Sequence, residues 1–550
     1  MKRAVIITAA ICLLYACKKD GTDPAKPTPP DRPAGMLSLI PADSPIVMVS
    51  TNAPPPGFTE WLARGITPAI ELLQGKMDQL RAEIAHPVAR AILDELDGNL
   101  SRVGLETLGF TVEPRFAVYA IGYSLAMRLE LADGPRVAAL IERIEQASGQ
   151  SMSSGELAGV RYREFIDDEV AIVVAIVADE LVVGVMHQNA RQLVLPVLFG
   201  KSKPEKSFAD TAILAQLGDK YKLLDAYLGY IDAHAVVRML TGKASQLTRD
   251  IAAASSVKLP EYSPVCLEEL TGLASVAPRL VFGYRELVEK RMHGLAALEL
   301  RADLAGELAG LQAPALPLRA LGRDRPMFAF GLNAELGKVL AWAKGKVANM
   351  AASPYRCEYL DDLNDMVAKL RGDMDQPLPP FVAGFKGAAF SIADFQTSGL
   401  MPSGSGYVAI AMDDVMGAIA MLKSMVPIPQ LAGGNLSRNG PPVSLPLGLP
   451  GLQSIDILIR GDRLGVAAGA SMLDKLTAFL AEQVPANTPA LLFAYDYVQF
   501  MKLAQAGKQG TSSSDEIQLI EMFAGFLGFT TGEFYFTNDG IVMHQIIEAR

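Results

Sequence analysis

Asp43-Ser-Pro-Ile-Val-Met-Val-Ser-Thr-Asn52 and Asp324-Arg-Pro-Met-Phe-Ala-Phe-Gly-Leu-Asn333 align without a gap at an offset of 281 residues. Each reads as a proline turn feeding an apolar run that closes on asparagine, the pattern of a strand entering a sheet. The offset persists downstream. Leu129-Glu-Leu-Ala-Asp133 matches Ile410-Ala-Met-Asp-Asp414, again at 281, and an amphipathic helical pattern follows both. Val177-Ala-Asp-Glu-Leu-Val182 matches Ile459-Arg-Gly-Asp-Arg-Leu464 at 282, and both read as hairpin turns between apolar strands. One offset held across three separate segments predicts a tandem duplication.

A second level of repetition lies inside each half. Ile40-Pro-Ala-Asp-Ser-Pro45 recurs as Val484-Pro-Ala-Asn-Thr-Pro489, each leading into an apolar run, and a weaker copy starts near Asp219. Four starts, near 40, 219, 324 and 487, each read as turn, strand, polar break and helix. Strands close the units at 298–301 and 547–550, behind Met292-His293 and Met543-His544; the two anchors differ by two residues, a slip that keeps the same strand face. Apolar strands beside helices imply a covered sheet, and short polar turns imply antiparallel hairpins. The expected class is α+β: tandem duplicated units of mostly antiparallel sheet packed with helices, in halves spanning 37–320 and 321–550. Residues 426–451, rich in Gly and Pro, replace the segment around 147–169 of the first half and read as a mobile or recognition loop. The Arg-Gly-Asp triplet at 460–462 reads as a turn.

The N-terminus carries an address. Met1-Lys2-Arg3 is basic, and residues 4–16 are almost wholly apolar. Such a stretch fits a secretory signal and is too short for a membrane span of about 20 residues. It ends in Leu14-Tyr15-Ala16-Cys17, which resembles the lipobox of bacterial lipoproteins. That resemblance implies a signal peptide over 1–16, diacylglycerol on the Cys17 sulfur, and anchoring to a membrane by several acyl chains, each buried CH₂ adding about 0.8 kcal/mol. In enterobacterial members of the family an Asp after the Cys favours inner-membrane retention. Lys18 departs from that pattern, which implies the outer membrane, facing the periplasm. Residues 17–36 then form a Pro-rich tether; at about 3.1 Å per residue it reaches roughly 50 Å. The repeated Pro-Ala-Asp turn is itself similar to a family of uncharacterised exported bacterial proteins built from tandem α+β units, which implies an envelope location and no activity.

Composition narrows the function. Apolar residues make up 50% of the 550, ample for large cores, and the net charge of −10 with scattered Lys and Arg argues against nucleic acid. Of the four cysteines, Cys12 leaves with the signal and Cys17 is lipidated. Cys266 and Cys357 remain, each opening a helix after a Ser-Pro turn at similar places in the second and third units. A disulfide between them is expected in an oxidising compartment, closing a loop of about 90 residues and stabilising by up to roughly 4–5 kcal/mol on chain entropy. Two separate buried thiols are the alternative.

No catalytic residue, cofactor site or metal site emerges. The five histidines (His86, His187, His234, His293, His544) show no ligand spacing such as HExxH, and His293 and His544 read as scaffold. No nucleophile elbow or phosphate loop is present; Gly404-Ser405-Gly406 reads as a loop fragment, and Ser255-Ser-Val-Lys258 fits S-x-x-K by letter without companion motifs. The carboxylate pairs Glu268-Glu269 and Asp361-Asp362 read as solvated helix faces. Met416, Met421 and Met425 stand at helical spacing, as core filling or as an adaptable groove. The reading is a non-enzymatic envelope lipoprotein that binds or scaffolds another envelope component of unknown identity, an envelope protein or a lipid; the alternatives are a periplasmic carrier of an apolar ligand such as a lipid, and an unrecognised hydrolase.

Overall fold

The computed structural model describes residues 33–55, 57–61, 67, 74–75, 77–84, 86–149, 152–374, 383–396, 403–425, 436–449, 452–506 and 527–549. Its contacts fall into two compact units. One holds the described residues up to Tyr262 together with Ala277–Ala296; the other holds Ser263–Val276 and the chain from Ala297 onward. The boundary expected at 320/321 therefore shifts: the helix at 263–276 lies in sequence between strands of the first unit and packs in the second. Among the described residues no helix is long and apolar enough to cross a membrane.

The first unit is built on β1 (Ile46–Ser50), β2 (Phe116–Ile121), β3 (Ser124–Glu130), β4 (Ser153–Leu157), β5 (Val160–Asp167), β6 (Val170–Val177), β7 (Glu180–His187), β8 (Leu228–Asp232), β9 (Arg279–Val288) and most of β10 (Arg291–Glu299). Antiparallel pairing sets the order β4-β5-β6-β7-β3-β2-β1-β8-β9, with β10 next to β9. Strand β6 shows why the sheet is covered on both faces: Ala171, Val173 and Ala175 are buried on one side, while Ile176 on the other packs against a helical core. That core joins α1 (Pro87–Leu96), α2 (Arg102–Leu108) and α3 (Gly134–Ser148) to the sheet through Leu105, Phe116, Leu129, Val137 and Leu140. The opposite face carries α4 (Arg191–Leu198); α5 (Ala233–Leu240) and α6 (Gln246–Ala254) follow β8.

The second unit contains β11 (Phe328–Asn333), β12 (Phe385–Gln396), β13 (Ser403–Met412), β14 (Val443–Leu449), β15 (Leu452–Arg460), β16 (Arg463–Ala468), β17 (Leu491–Asp496), β18 (Phe529–Thr537) and β19 (Gly540–Glu548). Its order, β14-β15-β16-β13-β12-β11-β17-β18-β19, is antiparallel throughout. The connectivity runs parallel to that of the first unit, with β11, β13, β16 and β17 in the places of β1, β3, β7 and β8. Its helices are α7 (Pro264–Val276), α8 (Ala302–Ala309), α9 (Leu336–Ala352), α10 (Asp361–Met374), α11 (Val415–Met425), α12 (Met472–Ala481) and α13 (Tyr497–Ala506). The class is α+β, with a large antiparallel sheet and mixed helices.

Small strand residues let one helix lie close on each sheet. In the first unit Gly184 sits beneath Leu198 of α4; in the second Gly465 sits beneath Leu476 and Leu480 of α12. A Cβ at Gly465 would lie 2.7 Å from Leu476 Cδ2 and 2.8 Å from Leu480 Cδ1, so any larger residue there must move these leucine tips. Each of these helices is also capped by an arginine from the strands below. Arg128 Nη1 donates to the Leu198 carbonyl at 2.6 Å while pairing with Glu180. Arg463 Nη1 donates to the Leu480 and Glu482 carbonyls at 2.8 and 3.1 Å. Last-turn carbonyls lack intrahelical donors, and a cation there complements the helix dipole.

The repeated Pro-Ala-Asp motif is the same turn in both places: Ser44 N–H donates to the Pro41 carbonyl at 3.0 Å and Thr488 N–H to Pro485 at 3.1 Å. Asp43 serves structure, accepting from Ser245 N–H and Thr248 Oγ1 at the start of α6. Three expectations need correction. The two hairpins turn at Ala178-Asp179 and Gly461-Asp462, an offset of 283 and not 282, and a one-residue slip would reverse every face. The strand of the unit expected to start near Asp219 begins only at Leu228, because Tyr227 just before it has a φ of 58°, which breaks an extended run. The segment 426–451 is not all loop: apolar residues alternate at Val443, Leu445, Leu447 and Leu449, and β14 forms there at the sheet edge, where Pro446 is tolerated. Residues 426–435 and 450–451 lie outside the described residues.

Candidate functional site

Cys17, Cys12 and the signal and tether before residue 33 lie outside the described residues. The other two cysteines come together: Cys266 and Cys357 form a disulfide with Cα atoms 4.5 Å apart and a sequence separation of 91. Both are buried, at 3% and 0% exposure. Cys266 is the third residue of α7, and Cys357 precedes a one-turn 3₁₀ helix, Glu358–Leu360, that runs into α10. Both belong to the second unit, so the bridge staples that unit internally.

Glu269 stands beside the bridge. Its carboxylate accepts the Cys357 N–H at 2.9 Å and the Arg356 N–H at 3.1 Å. The expectation of a solvated Glu268-Glu269 face fails for Glu269, because α7 turns it toward a helix start whose N–H groups have no intrahelical acceptor. Glu268 is exposed. Asp361 and Asp362 open the first turn of α10, where carboxylates complement the dipole.

The second unit presents an aromatic sheet face. Register places Phe328, Phe330, Phe390, Phe493 and Tyr495 on one side of β11, β12 and β17. Their rings form a chain: Phe330 to Phe390 at 6.0 Å, Phe390 to Phe328 at 5.6 Å, Phe328 to Phe500 of α13 at 5.6 Å, and Phe500 to Tyr495 at 5.6 Å. All are half-buried. Next to them on β13, Val408 is 45% exposed. In the first unit the matching strand β3 exposes Leu125 at 47%, paired with the exposed Val185 of β7. Period-2 reading of these strands found apolar residues on both faces; it did not show where along a covered face the cover stops, as between the buried Leu129 and the exposed Leu125 on one side of β3.

Four of the remaining polar candidates have partners within the fold. His86 meets the Phe165 ring edge-on at 5.6 Å, His187 Nδ1 accepts from Asn189 N–H at 3.2 Å, and His544 meets Tyr535 at 5.5 Å. Gly404-Ser405-Gly406 lies within β13 and not in a loop, with Ser405 Oγ donating to Asp394 at 2.5 Å. Burial pushes the Tyr407 hydroxyl up to about 12. Among the described residues no group of three or more His, Cys, Asp or Glu side chains could hold a metal ion. Comparison with protein-family models, with curated proteins and with solved structures returned no match in any of the three.

Proposed function

We propose that this chain is a bacterial envelope lipoprotein, held by lipid on Cys17 at the outer membrane facing the periplasm, and that it acts without catalysis by binding another envelope component. The observation that carries the binding role is the exposed apolar surface at matching strands of the two units, Leu125 on β3 and Val408 on β13. Large contiguous apolar patches are uncommon on monomeric proteins and mark interaction sites; here Leu125 pairs with exposed Val185, and Val408 pairs with Phe390 of the aromatic face. The anchor rests on the sequence of residues 1–17.

We further propose a tandem duplication behind the body. The parallel strand connectivity, the glycine beneath one helix in each unit, and the repeated Pro-Ala-Asp turn support it. Within each unit a β-α-β-β module also recurs, with β8-β9-β10 following the plan of β1-β2-β3. A second reading is a carrier of an apolar ligand such as a lipid, favoured by the aromatic chain from Phe330 to Tyr495.

Site-specific photocrosslinkers at Leu125 and Val408 in intact cells test both readings. Crosslinks to one envelope protein from these positions support the scaffold; crosslinks to lipid support the carrier. Recovery of the uncrosslinked chain alone rejects both. Separately, Cys17→Ser should lose its acyl chains and its membrane fractionation, and a variant that stays with the membrane refutes the anchor.

A further inference from the structure

We infer that Glu269 is the positioning residue that brings Cys357 to Cys266 and sets how favourably their bridge closes. Glu269 follows Cys266 by three residues on α7, so both side chains leave the same helix face. The partner that Cys266 bonds through sulfur, Cys357, is the residue whose N–H Glu269 accepts at 2.9 Å, with the Arg356 N–H beside it at 3.1 Å. The Glu269 side chain is only 17% exposed, so water competes weakly for these bonds. None of them involves sulfur. They are available to the reduced chain and hold residue 357 against α7 before any bond forms. The helix is fixed independently at both ends: Cys266 N–H donates to Ser263 Oγ at 3.1 Å, and the Val276 carbonyl accepts from Arg301 N–H at 3.0 Å.

With glutathione disulfide as oxidant, one cysteine thiolate attacks it and expels a glutathione thiolate. The second cysteine then attacks the mixed disulfide and expels another. The protein loses two electrons, the oxidant becomes two glutathione molecules, and the two thiol protons pass to them. The position of this equilibrium measures how well the fold holds the two thiols together. The equilibrium is the quantity to read, because a carboxylate beside a thiol also lowers its thiolate fraction and hence the rate.

The test uses the full chain with Cys12→Ser and Cys17→Ser, equilibrated in glutathione buffers, alkylated, and weighed by mass spectrometry. Glu269→Ala should lower the closure constant by about tenfold or more; tenfold corresponds to ~1.4 kcal/mol, near the low end for a hydrogen bond to a charged group. Glu269→Gln keeps a carbonyl acceptor and should fall between. Glu268→Ala, at the exposed neighbour, should match the parent. Parent-level constants in both position-269 variants overturn the proposal, as does an equal fall in Glu268→Ala. If Glu269→Ala fails to fold, Glu269→Gln against Glu268→Ala decides: a lower constant in the former supports the role, and equal constants overturn it.

Discussion

Replacing Asn333 by Ala should destabilise the second unit strongly, whereas the same change at Asn52, its counterpart 281 residues earlier, should do little. Asn333 is fully buried at the end of β11. Its Oδ1 accepts the Leu316 N–H at 2.9 Å and its Nδ2 donates to the Leu316 carbonyl at 2.9 Å. Leu316 is itself at 0% exposure, so water cannot substitute. In Asn333→Ala the Leu316 N–H loses its acceptor, which costs about 1–3 kcal/mol for a buried donor, and a further bond worth about 0.5–1.5 kcal/mol is lost at the carbonyl. That carbonyl keeps one donor, the Leu318 N–H at 2.9 Å, so only the bond is counted there and no orphaned group. The sum is about 1.5–4.5 kcal/mol. Asn52 is exposed and donates to Asp225 at 3.0 Å, so its loss should stay within about 0.5 kcal/mol.

The chain has two tryptophans, and they report separately: Trp61 belongs to the first unit and Trp342 to the second. Trp342 Nε1 donates to Glu307 at 2.8 Å, a contact that unfolding breaks. Urea titration in a Trp61→Phe background, followed by Trp342 fluorescence, measures the effect directly. A loss below about 1 kcal/mol for Asn333→Ala, or an equal loss for Asn52→Ala read through Trp61, would refute the argument.

Two further outcomes follow from the same reasoning. Gly465→Val should lower the Trp342-reported stability by about 1–3 kcal/mol, because its side chain must displace Leu476 and Leu480; an unchanged midpoint would mean α12 does not rest on β16 as described. Burial works to raise the Glu130 pKa, and its bidentate pair with Arg115 (2.6 and 3.0 Å) overrides this and lowers it below the ordinary value. A depressed folded-state pKa stabilises above the unfolded carboxylate value, about 4.3, and that stability is lost as pH falls through the folded value. Acid titration of Trp61 fluorescence should therefore show a shallower loss in Glu130→Gln than in the parent, and identical acid profiles would count against the pair.

Strands were legible where local chemistry repeats. The polar turns after 177 and 459 stood out between apolar runs, and they do join β6 to β7 and β15 to β16. The turn before each asparagine-closed strand was legible because proline and a small polar residue restrict the backbone in the same way wherever they occur. Strand β14 was not, since Gly and Pro conceal an edge strand that needs few ladder donors. Glu269 looked like one of a solvated pair because its partners, Arg356 and Cys357, lie 87 and 88 residues away. Arg128 and Arg463 gave no signal for a similar reason: a helix end capped from a strand leaves no mark in the helix's own sequence. The pairing of Cys266 with Cys357 was readable from matched surroundings, but the unit that holds α7 was decided by packing alone.

That placement of α7 carries a consequence for biosynthesis. The chain is made from its N-terminus, and the residue that receives α7 follows Cys266 by 91 positions. At about 5–20 residues per second, Cys266 waits roughly 5–18 s as an unpaired thiol before its partner exists. The earlier cysteines are Cys12 and Cys17 alone. On the lipidation proposed above, one departs with the signal and the other is capped by a thioether, which leaves Cys357 as the sole thiol with which Cys266 can pair within its own chain.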